Sequence, residues 1–314
     1  MILVTGGGGL MGLSVVCALV DRGEEVLILQ RHAPEAPSFL APFWDRQVKV
    51  VEGSTLDLPF ICSLMTTYPI DSIIHTAVLG SSSKGSATLY QIVQINVLAT
   101  ANMLEVARIF NLRRMTYISS LAVYSGLYDK EEWREDMDLP IQVQNEISAT
   151  KRASEQICTL YKSICGMSAP IIRVGHIYGP ISHRPRNNSI HQMVRCAVQG
   201  KLANLLDMYE GSYNLPIHTK DLGQATAIVH LAKELRYDIY NCSDGNFVTN
   251  QEIADMVKDV VPGVEIHLGT DKRLYKPLLP MSIERLKDEG WMPEYADLKK
   301  GIQAYVDYLR QGKY

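Results

Sequence analysis

Three glycines, Gly6, Gly9 and Gly12, stand between a short apolar run, Ile2–Val4, and residues Leu13, Val16, Cys17 and Val20, which recur at helical spacing. A strand, a glycine turn and a helix together make a pyrophosphate site. The first glycine permits the tight turn, and the second lets phosphate reach the backbone. The third lets helix and strand pack closely, while the helix N-terminus offers amide donors to the anion. Such spacing also occurs in purely structural turns; the strand before and the helix after favour the dinucleotide reading here. A second apolar run, Val26–Leu29, should end beside the adenosine ribose. A carboxylate there would grip the 2′-hydroxyl of NAD, but the chain has Gln30, Arg31 and His32. Arg31 can pair with the 2′-phosphate of NADP, or it is an ordinary exposed arginine. NADP is the preferred cofactor on this reading and NAD the alternative.

Strand and helix signals alternate from the first residue, which predicts an α/β fold: a doubly wound parallel sheet of Rossmann type. Further strands are expected at Val48–Val51, Ser72–His75, Met115–Ser119 and Pro170–Val174. Long helices are expected over Leu89–Phe110 and from about Ser148 to Ser163. Thr249-Asn250-Gln251-Glu252 forms a capping box that opens a later helix, and Asp297–Leu309 reads as a terminal amphipathic one. Residues 1–174 with about 217–249 form the expected dinucleotide-binding domain. About 175–216 with 250–314 form a smaller, discontinuous substrate lobe, and Arg184–Asn188 reads as a loop.

The chain has 314 residues, 46% hydrophobic and 21% charged, which is ordinary for a globular protein. A net charge of −3 provides no electrostatic footprint for nucleic acid or an anionic membrane. No secretory signal is expected, because the N-terminus has no basic segment. Cys17, Cys62, Cys158, Cys165, Cys196 and Cys242 are scattered without a C-x-x-C pair, so neither a disulfide framework nor a metal site is expected. A cytoplasmic location is the default.

Further motifs carry a resemblance. Thr5-Gly6-Gly7-Gly8-Gly9-Leu10-Met11-Gly12 leads, Ser54 and Thr55 follow the third strand, and Ile74-His75-Thr76-Ala77 ends the fourth. Asn96-Val97 lies in the long helix, followed by Ser119-Ser120-Leu121-Ala122-Val123-Tyr124, Arg173-Val174-Gly175-His176-Ile177-Tyr178-Gly179-Pro180 and Ile217-His218-Thr219-Lys220-Asp221-Leu222. Taken together they resemble the extended short-chain dehydrogenase/reductase family in its epimerase/dehydratase branch, almost end to end. The resemblance implies a cofactor site made by Gly6, Gly9, Leu10, Met11, Gly12, Gln30, Arg31, His32, Ser54, Thr55, Thr76, Ala77, Asn96 and Lys151. It implies Ser120 against the reacting oxygen, and a homodimer through the helices at about 90–112 and 148–163.

One position departs from that pattern. The family's Tyr-x-x-x-Lys pair moves the proton as hydride moves, and here Lys151 is present but Ile147 holds the tyrosine position. A positioned acid/base supplies roughly 10²–10⁴ in rate. Four accounts stand open. Another residue supplies the proton, with His176, Tyr124, Tyr178 and Glu146 nearest in motif terms. The reaction is a lyase or isomerase step that needs no such transfer. The protein binds a nucleotide without catalysis. The substitution was introduced on purpose.

The expected function is an atypical NAD(P)-dependent oxidoreductase or epimerase of a small hydroxy or keto compound. Branch members that hold nucleotide sugars carry an Arg where this chain has Asn214, and the 4,6-dehydratase Asp-Glu is replaced by Leu121-Ala122. A non-nucleotide substrate is therefore favoured over a nucleotide sugar, with Lys272 or Arg273 as loose candidates for a second phosphate contact. The Gly126–Met137 insert and the Gly80–Ser86 loop are expected to line or cover the pocket.

Overall fold

The protein is described here by a computed structural model, which covers residues 1–32, 36–80, 87–180, 188–274 and 278–312. Most of the Gly80–Ser86 loop and most of the Arg184–Asn188 loop therefore lie outside the described residues. Seven strands make one parallel sheet: β1 (Ile2–Thr5), β2 (Val26–Gln30), β3 (Val48–Glu52), β4 (Ser72–His75), β5 (Arg114–Ser120), β6 (Ile171–Val174) and β11 (Ile239–Cys242), in the order β11-β6-β5-β4-β1-β2-β3. The core strands are almost continuously apolar, as strands covered on both faces must be. In register, Val4 faces Ile28 of β2 on one side and Ile74 of β4 on the other. The strand order reverses between β1 and β4, and a crevice opens there beyond the carboxyl ends.

Helices cover both faces: α1 (Leu10–Val20), α2 (Leu58–Thr67), α3 (Leu89–Val93), α4 (Ala99–Ile109), α5 (Glu146–Cys165) and α7 (Thr219–Leu231). A π-turn at Gln94–Leu98 joins α3 to α4. Asn145 opens α5 with a reciprocal capping box to Ser148, and Gly166, in the left-handed region at φ +68°, ends it. The stretch Leu89–Ile109 is long and apolar enough to cross a membrane by length and composition. Here it buries Ile92, Met103 and Val106 and leaves Leu89, Tyr90 and Val93 exposed. On α5, Leu160 and Ile164 are exposed as well.

A second group of elements has an apolar core of its own. It comprises α6 (Ser189–Val198), β8 (Ala203–Tyr209), α8 (Asn250–Val260), β13 (Ile266–Gly269) and α10 (Leu298–Arg310), meeting through Ile190, Leu205, Ile253 and Ile302. The short pairs β7 (His176–Tyr178) with β10 (Pro216–His218), and β9 (Tyr213–Asn214) with β12 (Val248–Thr249), link this core to the sheet. The helix α9 (Glu284–Asp288) lies beside β11. The capping box at Thr249 forms as expected and opens α8.

Several elements went unassigned in the sequence, α2 and β11 among them. The helix α2 lacks a long periodic stripe, burying only Ile61 and Leu64, although Asp57 caps it by accepting from the Phe60 N–H. The edge strand β11, four residues long, is too short for a periodic signal.

Candidate functional site

The cofactor groove lies at the switch point. It has a volume of about 260 Å³, with walls that include Gly6, Gly9, Leu10, Met11, Gly12, Gln30, Arg31, His32, Thr55, Thr76 and Ala77. Gly6 sits at φ +69°, and a Cβ there would lie 2.9 Å from the Ala77 Cα. A Cβ on Gly12 would lie 2.3 Å from the Gly6 carbonyl oxygen. The approach of α1 to the turn thus excludes any side chain. Gln30 closes the turn from the β2 side, where its Oε1 accepts from the Gly8 N–H at 2.6 Å.

Further along the carboxyl edge of the sheet is a second cavity of about 530 Å³. Its walls come from the turn after β5 (Leu121, Ala122, Ser125), the Gly126–Met137 insert (Tyr128, Trp133), the segment leading into α5 (Gln144, Asn145) and β7 (His176). The elements of the second core contribute Asn188, Ser189, Asp207 and Asn250, and the linking strand β9 with the residue before it contributes Ser212, Tyr213 and Asn214. Asp207 is the single formal charge among the described lining residues. Asn214 is pinned, its Nδ2 donating to Asn250 Oδ1 at 2.8 Å and its Oδ1 accepting from Ser189 Oγ at 3.3 Å. Tyr213 stacks on Phe247 with ring centres 4.1 Å apart and planes 6° from parallel.

Helix α5 stands between groove and pocket. Ile147, half-buried, points toward Gly80, its Cδ1 3.9 Å from where a Gly80 Cβ would be. One turn on, Lys151 is 3% exposed, donates to the Ile118 carbonyl at 2.6 Å and lies 4.6 Å from the Tyr117 ring centre. Burial pulls its ammonium down to about 8. Ser120 is half-buried and caps the turn after β5, its Oγ accepting from the Ala122 N–H at 3.2 Å.

With this geometry in place, comparison with known proteins decides the family. The sequence model of the NAD dependent epimerase/dehydratase family matches residues 2–243. The chain belongs to that family. Across the curated proteins it is similar to the low-salt glycan biosynthesis protein Agl12 of Haloferax volcanii, at 25% identity over 98% of this chain and 97% of that protein. It is also similar to the UDP-glucose 4-epimerase of Corynebacterium glutamicum, at 22% identity over 96% and 93%. The fold is that of the Thermus thermophilus UDP-glucose 4-epimerase solved with NAD, with a TM-score of 0.81, 22% identity and 98% of each chain covered. As an epimerase/dehydratase of the extended short-chain dehydrogenase/reductase type, the chain is an enzyme with a Rossmann-type dinucleotide site, as expected.

Within that family frame, several residues take places the motifs did not foretell. Ser54 turns its hydroxyl inward to accept from the Leu56 N–H at 3.2 Å, and Gly53 and Thr55 line the groove around it. Asn96 does not line the groove. Its Oδ1 accepts from the Leu79 N–H at 2.8 Å, and its Nδ2 donates to the Leu79 carbonyl and to Thr150 Oγ1. It holds the Val78–Leu79 wall against α5. Lys151 lines neither cavity; it is packed beneath β5.

Two of the candidate proton donors are buried. Tyr124 is fully buried, stacked on Trp133 and fixed between the Arg173 guanidinium, which donates to its oxygen, and Asn241 Oδ1, which accepts from it. Burial pushes its hydroxyl up to about 12. The guanidinium is in turn paired with buried Glu155 at 2.7 Å. Tyr178 is fully buried in the second core, its hydroxyl against Gly301, and burial raises its pKa strongly. Both rings serve packing.

His176 does line the pocket, and its tautomer is set. The Leu215 N–H donates to its Nδ1 at 3.1 Å, while the main-chain N–H of His176 donates to the Leu215 carbonyl at 2.6 Å. In the neutral ring Nε2 therefore carries the proton. Glu146 lies in the first turn of α5, half-buried and outside the walls given for either cavity. Arg273 is exposed and paired with Asp271 at 2.7 Å. Sequence reasoning missed Leu29, Val78, Leu79 and Ile95 in the groove; in the pocket it had His176 and, through the Gly126–Met137 insert, Tyr128 and Trp133, but not Asn188, Ser189, Asp207 or Asn250. Ile95 stands next to Asn96 in the π-turn, which a pure 3.6-residue period hides.

Proposed function

We propose that this enzyme oxidises or epimerises a secondary alcohol on a neutral, polyhydroxylated small molecule, with proton transfer not made by a tyrosine at position 147. The carrying observation is the pocket beside the groove, rich in Ser, Asn, Gln and Tyr and with Asp207 as its one described charge. Neutral donors and acceptors of this kind satisfy sugar-like hydroxyls without paying for a counter-charge. A bound nicotinamide dinucleotide would accept and return the hydride; Gly6, Gly9 and Gly12 would hold its pyrophosphate. NADP is preferred through Arg31, which lines the groove; none of the described lining residues is acidic. Lys151 supplies positive potential from beneath β5, and Ser120 would orient the reacting oxygen. Ile147 supplies no proton, so the step is slow or is routed through a pocket group or water.

A second reading is favoured by the stacked Tyr213–Phe247 pair, with Tyr213 40% exposed. On it the same chemistry runs on a sugar carried by a nucleoside diphosphate, whose base would lie on that aromatic platform. We assign 1–174 with about 217–249 to the dinucleotide half and the remainder to the substrate lobe. The exposed Leu89, Tyr90, Val93, Leu160 and Ile164 fit burial in a homodimer. The six cysteines, all unpaired, fit a cytoplasmic setting.

The test is a panel of free aldoses and sugar phosphates against UDP- and dTDP-sugars, each with NADP and NAD. Nicotinamide absorbance reports net redox, and product NMR reports epimerisation, which leaves the cofactor unchanged. Turnover confined to nucleotide sugars selects the second reading. Binding of neither cofactor contradicts both.

A further inference from the structure

Arg152 follows Lys151 on α5 and is 8% exposed, yet it makes no ion pair among the described residues. Its guanidinium instead meets four main-chain carbonyls. Nε donates to Val123 O at 2.9 Å and Nη2 to Ser125 O at 2.5 Å. Nη1 donates to Gln142 O at 2.6 Å and also to Pro140 O. The first two carbonyls belong to the turn after β5 and the last two to the segment that runs into the α5 cap at Asn145. The two segments pass close together here. Gly126, at φ +100°, leaves room for the Pro140 ring, whose Cγ lies 3.3 Å from where a Cβ would be. Both segments are walls of the substrate pocket, through Leu121, Ala122 and Ser125 on one side and Gln144 and Asn145 on the other. The outer segment is otherwise poorly covered: Ile141 is 94% and Val143 48% exposed.

We infer that Arg152 is a positioning residue that pins the two walls of the substrate pocket to each other and to the helix carrying Lys151. A guanidinium suits this task because its planar fork carries five donors in fixed directions and never loses its charge. The four carbonyl dipoles take the place of water around a charge that would otherwise be costly to bury. A lysine can satisfy some of those carbonyls but cannot hold two pairs in one plane.

The inference depends on the proposed function only in calling this cavity the substrate pocket, so its first readout needs no substrate. Hydrogen exchange is followed by mass spectrometry on the full-length protein with NADPH present, for wild type, Arg152→Lys and Arg152→Gln. Arg152→Gln is expected to raise exchange over residues 121–125 and 139–145 by about tenfold or more, with peptides from β1 and α1 unchanged. Arg152→Lys is expected to recover part of the protection. UDP-glucose and free glucose are then titrated by isothermal calorimetry, and whichever binds wild type should bind Arg152→Gln about tenfold more weakly, with NADPH affinity preserved. Unchanged exchange at both walls overturns the inference. So does a rise spread over the whole chain, which would make Arg152 a general stabiliser. If neither sugar binds wild type but the walls open in Arg152→Gln, the pin stands and the proposed substrate class falls.

Discussion

The groove and the pocket lie side by side on one sheet edge but are built from different materials. The groove is shaped by main chain: three glycines whose missing side chains let α1, the turn and Ala77 approach within contact. The pocket is shaped by side chains from widely separated segments, from Leu121 to Asn250 and beyond. The pyrophosphate is common to every dinucleotide, so steric exclusion by backbone suffices to hold it. A substrate differs between members, and its selection resides in side chains that can change without moving the frame. Ile147 lies at the seam of the two, where frame and selection meet.

That contrast can be broken most forcefully at the groove. Gly12→Val should lower NADPH and NADH affinity by at least about a hundredfold, because its Cβ would meet a main-chain oxygen that cannot step aside. Fluorescence titration reads this, with a melting curve to confirm the fold. A comparable change in the opposite direction is expected at the seam. Ile147→Tyr should raise redox turnover by roughly 10²–10⁴ if the frame still presents a phenol to the reacting oxygen. Loss of a native activity would instead show that the isoleucine makes room for the substrate.

Smaller effects sharpen the comparison. Lys151 has its pKa lowered to about 8, so its cation is present below that value and is lost as pH rises through it. Turnover that relies on its positive potential should fall above about pH 8 in wild type, whereas the residual activity of Lys151→Met should be flat over the same range. Arg31→Ala should weaken NADPH by about tenfold and leave NADH nearly unchanged. Tyr124→Phe should cost about 1.5–3 kcal/mol of stability, through loss of the hydroxyl between Arg173 and Asn241, with turnover per folded molecule unchanged. A large fall in turnover there would put Tyr124 back among the proton donors.

How far the sequence could be read follows from the same contrast. The groove was legible because its logic is local: Gly6, Gly9 and Gly12 sit within seven residues, and the flanking strand and helix announce themselves by period. Strands β1 to β6 were found to within one or two residues for the same reason. The burial of Tyr124 and Tyr178 was not legible, because motif position says nothing about the direction a ring takes; only the structure shows them against Trp133 and Gly301. Asn96 was expected at the cofactor, and its hold on Leu79 is a contact that only the hydrogen bonds disclose. Arg152 carried no signal beyond its neighbour Lys151, because its four partners are carbonyl groups, which every sequence has everywhere.

The measurement that tests this account most directly is a parallel fluorescence titration of the wild-type protein with NADPH and NADH. The account predicts saturable binding of both, tighter for NADPH, and abolished for both in Gly12→Val. A folded wild-type protein that binds neither would contradict it, because the groove would then be a frame that no longer holds a dinucleotide.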